Sequence, residues 1–197
     1  YSLFMKTIVL FLALYVLPSV IQAQQSMTHT STAGNVSTNS TFLDIPAIKG
    51  SPNAVITVSP DADTRLMNPH PLGVWYDGQR WAIFNQDKAV MTAGLKFLVK
   101  WSMPDANSFY RKANSSNLQD GELLLDHPSL NNNPGARFSL SQLWNPEGAG
   151  GVYNTSEVIS EYDPESNRWV VMNTNGTAIQ PGQAFNIIIQ AKSIATV

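Results

Sequence analysis

The 197 residues contain no cysteine and three histidines, and only 13% of them are charged. The first absence rules out disulfides and thiolate chemistry. With no clustered histidine either, the common zinc ligand sets are missing. Basic residues are outnumbered, 12 Lys and Arg against 14 Asp and Glu, and they form no cluster, so nucleic acid is not an expected partner. Past residue 23 there is no run near the ~20 apolar residues of a membrane-spanning helix, and no helical hydrophobic period. A chain of this kind must be held by buried apolar surface, by calcium or by neighbours. Its 10% aromatic content supplies material for a core.

The N-terminus has the pattern of a secretory leader. Met5-Lys6 precedes an apolar run from Thr7 to Val16, then Leu17-Pro18 and Val20-Ile21-Gln22-Ala23. A basic start, a short apolar centre and a small final residue predict cleavage after Ala23 and a mature chain from Gln24. Tyr1 to Phe4 then lie upstream of an expected initiator, Met5. The mature protein is expected outside the cell or on its surface, with no membrane segment. Five Asn-X-Ser/Thr sequons, at Asn35, Asn39, Asn114, Asn154 and Asn175, are expected in surface loops, where glycans would sit.

The strongest signal is internal repetition. Leu43-Asp44-Ile45-Pro46 through Ser51-Pro52-Asn53-Ala54 matches Leu125-Asp126-His127-Pro128 through Asn133-Pro134-Gly135-Ala136. Tyr76-Asp77 matches Tyr162-Asp163, and Arg80-Trp81-Ala82-Ile83-Phe84-Asn85 matches Arg168-Trp169-Val170-Val171-Met172-Asn173. Ala93-Gly94 and Phe97 match Pro181-Gly182 and Phe185. β-rich stretches at Ala54–Val58, Leu72–Tyr76, Trp81–Phe84 and Leu95–Trp101 recur in the second copy at Ala136–Leu140, Val158–Tyr162, Trp169–Met172 and Ala184–Ala191. Proline and glycine turns separate them. The expectation is an all-β protein of two tandem small β-sandwich or jelly-roll-like domains related by duplication. Residues 1–23 form the leader, 24–102 the first copy with an N-terminal arm, and 103–197 the second copy with a connector.

Two segments resemble parts of one known pattern. They are Trp144-Asn145-Pro146-Glu147-Gly148-Ala149-Gly150-Gly151-Val152-Tyr153-Asn154, and His70-Pro71-Leu72-Gly73-Val74-Trp75-Tyr76-Asp77 running on to Asn85-Gln86-Asp87. The chain is similar to a family of secreted tandem-repeat β domains of unknown function. Thr28-His29-Thr30-Ser31-Thr32-Ala33-Gly34-Asn35 and Met91-Thr92-Ala93-Gly94 match that family's unit ends. Neither copy carries the whole pattern. The resemblance implies fold and secretion, and it suggests fibril-forming surface assemblies; it brings no reaction and no ligand.

Among chemistry-bearing residues, His29, His70 and His127 are isolated. Asp126-His127 is the one adjacent acid–histidine pair, and strand neighbours point to opposite faces. No nucleophile–base–acid set emerges, so catalytic residues and cofactors are not expected. Asp61, Asp63, Asp77, Asp87 and Asp163 could ligate structural calcium or make local turn bonds. Trp81 and Trp169 recur and read as core. Trp75, Tyr76, Trp144 and Tyr153 do not all recur and sit near glycine-rich loops, which offers either an aromatic sugar platform or packing at the sandwich ends.

The arm, Gln24 to Thr41, corresponds to the connector between the copies. A strand within it could pair with its own copy or complete a preceding one. For the first copy, the preceding partner would be a neighbouring subunit. The favoured expectation is donation of Gln24 to about Asn35, with Met27, His29, Thr30 and Thr32 as the assembly strand. The result would be a non-enzymatic, self-associating head-to-tail filament. The rival is a monomeric carbohydrate-binding module that partners glycans.

Overall fold

The computed structural model describes residues 24–61 and 66–190. The expected leader and cleavage point lie outside these, as does Asp63.

The first copy contributes β1 (Gln25–Thr30), β2 (Val36–Ser37), β3 (Ser40–Phe42), β4 (Val55–Pro60), β5 (Leu72–Tyr76), β6 (Trp81–Asn85) and β7 (Lys96–Ser102). The second contributes β8 (Ser108–Lys112), β9 (Leu118–Gln119), β10 (Glu122–Leu125), β11 (Phe138–Leu143), β12 (Val158–Asp163), β13 (Arg168–Asn173) and β14 (Ala184–Ile189). Strands in order β1-β7-β4 face strands in order β2-β3-β6-β5, and the second copy repeats the plan as β8-β14-β11 and β9-β10-β13-β12. The protein is therefore all-β, two tandem sandwiches of seven strands each.

Repetition reaches individual bonds. Trp81 Nε1 donates to the Ser51 carbonyl at 2.9 Å, and Trp169 Nε1 to the Asn133 carbonyl at 3.0 Å. Asn35 Nδ2 donates to Thr30 O and Asn117 Nδ2 to Lys112 O, both at 3.0 Å. Each ties the turn after the first strand back to that strand. Gly94 and Gly182, at φ 95° and 94°, occupy the same left-handed position before the last strand of each copy, where an L side chain would be strained.

Alternation of side chains across each strand builds two cores. Ile56, Val74, Trp81, Ile83, Phe97 and Val99 fill the first; Leu123, Leu125, Leu130, Val171, Phe185 and Ile187 fill the second. A fully buried side chain of this size contributes about 1.5–3 kcal/mol. The two tryptophans differ, since Trp81 is buried and Trp169 only half-buried between Phe138 and Tyr162.

The copies are not beads on a string. Strand β5 of the first pairs in parallel with β11 of the second, Gly73 opposite Gln142 and Val74 opposite Leu143, which fuses two sheets into one of seven strands. The β1-β7-β4 and β9-β10-β13-β12 sheets lie on opposite faces of this shared sheet. Strand β14 shows why: Phe185, Ile187 and Ile189 enter the second core, while Ala184 enters the first and Asn186 reaches β4.

Candidate assembly and binding surfaces

The expected assembly strand is built into its own copy. Strand β1 pairs with β7 over six residues, from Gln25 opposite Trp101 to Thr30 opposite Lys96. Met27 packs on the first core, and His29 is buried with Nε2 2.8 Å from Thr41 Oγ1. Thr30 accepts from Asn35 Nδ2, and the Thr32 N–H donates to Asn35 Oδ1. The expectation that this arm adds to a neighbouring subunit is corrected: β7 offers an antiparallel ladder within the molecule, as β14 does for β8.

What the structure brings together is the joint between copies. The Trp144 N–H donates to the Val74 carbonyl at 3.0 Å, and Asn145 brackets Tyr76 by accepting from its N–H and donating to its C=O. Strand β4 presents its edge to the shared sheet without a partner strand, and side chains take the partner's place. The Val58 N–H donates to Ser141 Oγ at 2.8 Å and Ser141 Oγ–H to Val58 O at 3.1 Å, while Asn186 Nδ2 donates to Ile56 O at 2.9 Å. Gln86 Nε2 donates to Gln142 Oε1. Buried polar groups are ordinarily paired, and these bonds supply the partners that a missing strand does not.

Beside this joint the segment from Trp144 to Ser156 crosses the outer face of the first copy's four-stranded sheet. Tyr153 meets Phe84 edge-on with centroids 6.1 Å apart, and Trp144 meets Trp75 edge-on at 6.2 Å. Gly73 leaves room here; a Cβ at this position would lie 2.7 Å from both Phe84 and Gln86. Trp75, Trp144 and Tyr153, with Phe42 and Phe84, line a cleft of about 350 Å³ whose polar rim is Ser37 to Ser40. Tyr76 is a correction to the platform expectation. It is 7% exposed and packs on Trp81 within the core, because its neighbour Trp75 holds the outward position on the strand. Lys88 Nζ sits 4.6 Å from the Tyr153 ring centroid, and Trp75 Nε1 donates to Ser40 Oγ.

The sequons divide by environment. Asn114 and Asn175 are exposed in turns. Asn35 and Asn39 are half-buried, their amide nitrogens donating to Thr30 O and Asn85 O. Asn154 departs from the surface-loop expectation: it is 5% exposed, and its Nδ2 donates to Asn173 Oδ1 at 2.8 Å, where a glycan has no room.

Each histidine has a local role. Burial holds the His29 ring below its ordinary pKa. His70 Nδ1 lies 2.7 Å from Asp87 Oδ2. His127 stacks on Phe109 at 4.7 Å, and its Nδ1 accepts from the Ser129 N–H. Neighbouring Asp126 is turned to Asn131 and Arg168, which hold its carboxyl below the usual range. For Asp77, burial raises the pKa, but the N–H groups of Arg80 and Gln79 with the Arg80 side chain outweigh it. Asp87 and Asp163 likewise accept turn N–H groups, from Ala89 and from Glu165 and Ser166. Among the described residues, no group of three or more His, Cys, Asp or Glu could hold a metal ion, and no helix is long and apolar enough to cross a membrane.

Sequence reasoning missed Gly73, Ser141, Gln142 and Asn186. The available signal was divergence between copies at matched positions: Gly73 stands where the second copy has Ile159, and Leu98 where it has Asn186.

Tandem β-sandwiches fused through one shared sheet define the class of protein. A family model matches residues 13–101 and again residues 83–189, and the chain belongs to that family, DUF7452, a domain of unknown function. No curated protein and no solved structure matches it.

Proposed function

We propose that this is a non-enzymatic, secreted structural protein of the cell surface or extracellular space that associates head to tail into filaments. The observation that carries this reading is the joint between the copies. It is heterologous, uniting the β5 edge of one copy with the β11 edge and the sheet face of the next. Contacts of that type generate open chains when they do not close on themselves. Strand β12 lies at a sheet edge paired with β13, so the second copy carries forward an edge like the one the first copy has used. Such edges risk uncontrolled association unless a partner covers them.

The test is electron microscopy and sedimentation of the mature protein recovered from the medium. Linear particles that lengthen with concentration are expected, from a chain whose intact mass begins at Gln24. A single monomeric species at all concentrations refutes the reading.

The aromatic cleft favours a second reading, a glycan-binding module. Aromatic rings bounded by hydroxyl and amide groups suit the CH face and hydroxyls of a pyranose. Saturable binding to an oligosaccharide, lost in Tyr153→Ala, supports it; no binding across a diverse glycan panel removes it.

A further inference from the structure

We propose that the joint between the two copies is used a second time, between molecules, with β12 and the outer face of the second copy receiving β4 and the Met67 segment of the next molecule's first copy. This inference rests on the head-to-tail reading and names its surfaces.

The argument begins with which residues correspond. Asn68 Nδ2 donates to Asn85 Oδ1, and Asn154 Nδ2 donates to Asn173 Oδ1, both at 2.8 Å. Asn85 and Asn173 are matched positions, so Asn68 corresponds to Asn154 and Met67 to Tyr153. Strand registers set Gly73 against Ile159, Phe84 against Met172, Ser59 against Ser141 and Leu98 against Asn186.

Repeating the joint between molecules then makes definite contacts. Within the molecule Tyr153 covers Phe84; between molecules Met67 would cover Met172. Within the molecule Ser141 Oγ bonds the Val58 N–H and C=O; between molecules Ser59 Oγ would bond those of Leu140. Strand β12 would lie beside β4 as β5 lies beside β11, Ile159 opposite Pro60; proline has no N–H, so this ladder lacks the bond that Gln142 donates in the internal one.

Three of the exposed apolar residues fall where this predicts. Met67 is 63% exposed, Ile159 46% and Leu98 36%. Scattered singly, such residues are ordinary on a protein surface. Here Ile159 lies on the half that would receive, and Met67 and Leu98 on the half that would dock. All three correspond to positions engaged in the internal joint.

The substitutions also set the character of the contact. Pro60 stands for Gln142, Leu98 for Asn186 and Thr174 for Gln86, so the intermolecular joint loses buried hydrogen bonds and gains apolar surface. It is the weaker and more reversible of the two. The β1-β7-β4 sheet and the β9-β10-β13-β12 sheet occupy opposite faces of the shared sheet. One molecule therefore cannot close the joint on itself, and a second copy of the chain is the occupant.

The absence of cysteine makes the test clean. The variants Pro60→Cys and Ile159→Cys, mixed in equal amounts and mildly oxidised, should form a mixed covalent dimer at least ten-fold above a control mixture of Asp120→Cys with Ile159→Cys. The double variant should give a ladder of covalent multimers. Ile159→Arg, on an exposed strand face, should melt like the parent yet lose the linear particles. Linear particles without cross-linking above the control overturn this joint and leave the filament reading standing. Mixed dimers without particles keep the joint and discard the filament. Neither particles nor cross-links overturn both.

Discussion

Replacing Asn186 with leucine removes the donor that reaches the Ile56 carbonyl at 2.9 Å, in a place where both residues are buried. Leucine has similar bulk, so the change isolates the hydrogen bond more than the packing. The carbonyl belongs to the edge of β4 facing the shared sheet, and no strand lies there to replace the lost partner. An orphaned buried acceptor costs about 1–3 kcal/mol. With a urea dependence of about 2 kcal/mol per molar, the midpoint should fall by about 0.5–1.5 M. Urea titration followed by amide hydrogen exchange reads this, since Ile83 reports the first copy and Val171 the second. Both signals should shift, because the bond spans the two copies. The control is Leu98→Asn, the matched position on an exposed face, with an effect of about 0.5 kcal/mol or less in dilute protein. An unchanged midpoint for Asn186→Leu, or a shift confined to one copy, would refute the claim that side chains from the second copy complete the β4 edge.

Trp81→Ala should cost about 3–5 kcal/mol and half-buried Trp169→Ala about 2 kcal/mol, measured as separate melts; equal losses would contradict the burial difference. Because His29 is held below its ordinary pKa of 6.5, the folded protein keeps it neutral while the unfolded chain takes up a proton. Its contribution is complete above about pH 7 and is lost as pH falls from there toward the lowered value. His29→Gln should flatten that part of the stability profile, and an unaltered slope would show that another group titrates. Deleting Gln25 to Thr30 should destabilise the first copy by stripping the β7 edge. Hydrogen exchange that still protects Lys96 to Ser102 as in the parent would count against it.

The duplication and the all-β character were legible because they rest on local patterns. Tyr76-Asp77 before Arg80-Trp81 marks a hairpin, and its echo at Tyr162-Asp163 and Arg168-Trp169 appears in the second copy. Orientation of Tyr76 was legible too, had the two-residue period been applied to Trp75 and Tyr76 together. The fused sheet was not. It depends on two residue pairs between strands remote in sequence, and edge pairing of this kind leaves no periodic trace. Burial of Asn154 was equally hidden, because a sequon is a three-residue pattern and its exposure depends on Gln86 and Asn173 from elsewhere. The choice of partner for β1 stayed open for the same reason: an amphipathic strand fits any complementary edge, and chain proximity decides.

Strand β14 has a consequence for biosynthesis. It closes the second core with one face and covers the first copy with the other, all six residues buried, and it is the last strand among the described residues. Until Ile189 has left the ribosome, neither copy can reach its final packing. The first copy waits with its β4 edge uncovered, and the second waits with its core open. Completion of both copies therefore converges on the synthesis of one strand. A premature stop before Ala184 would release a chain with both halves incomplete, whereas one after Ile189 would leave every named strand in place.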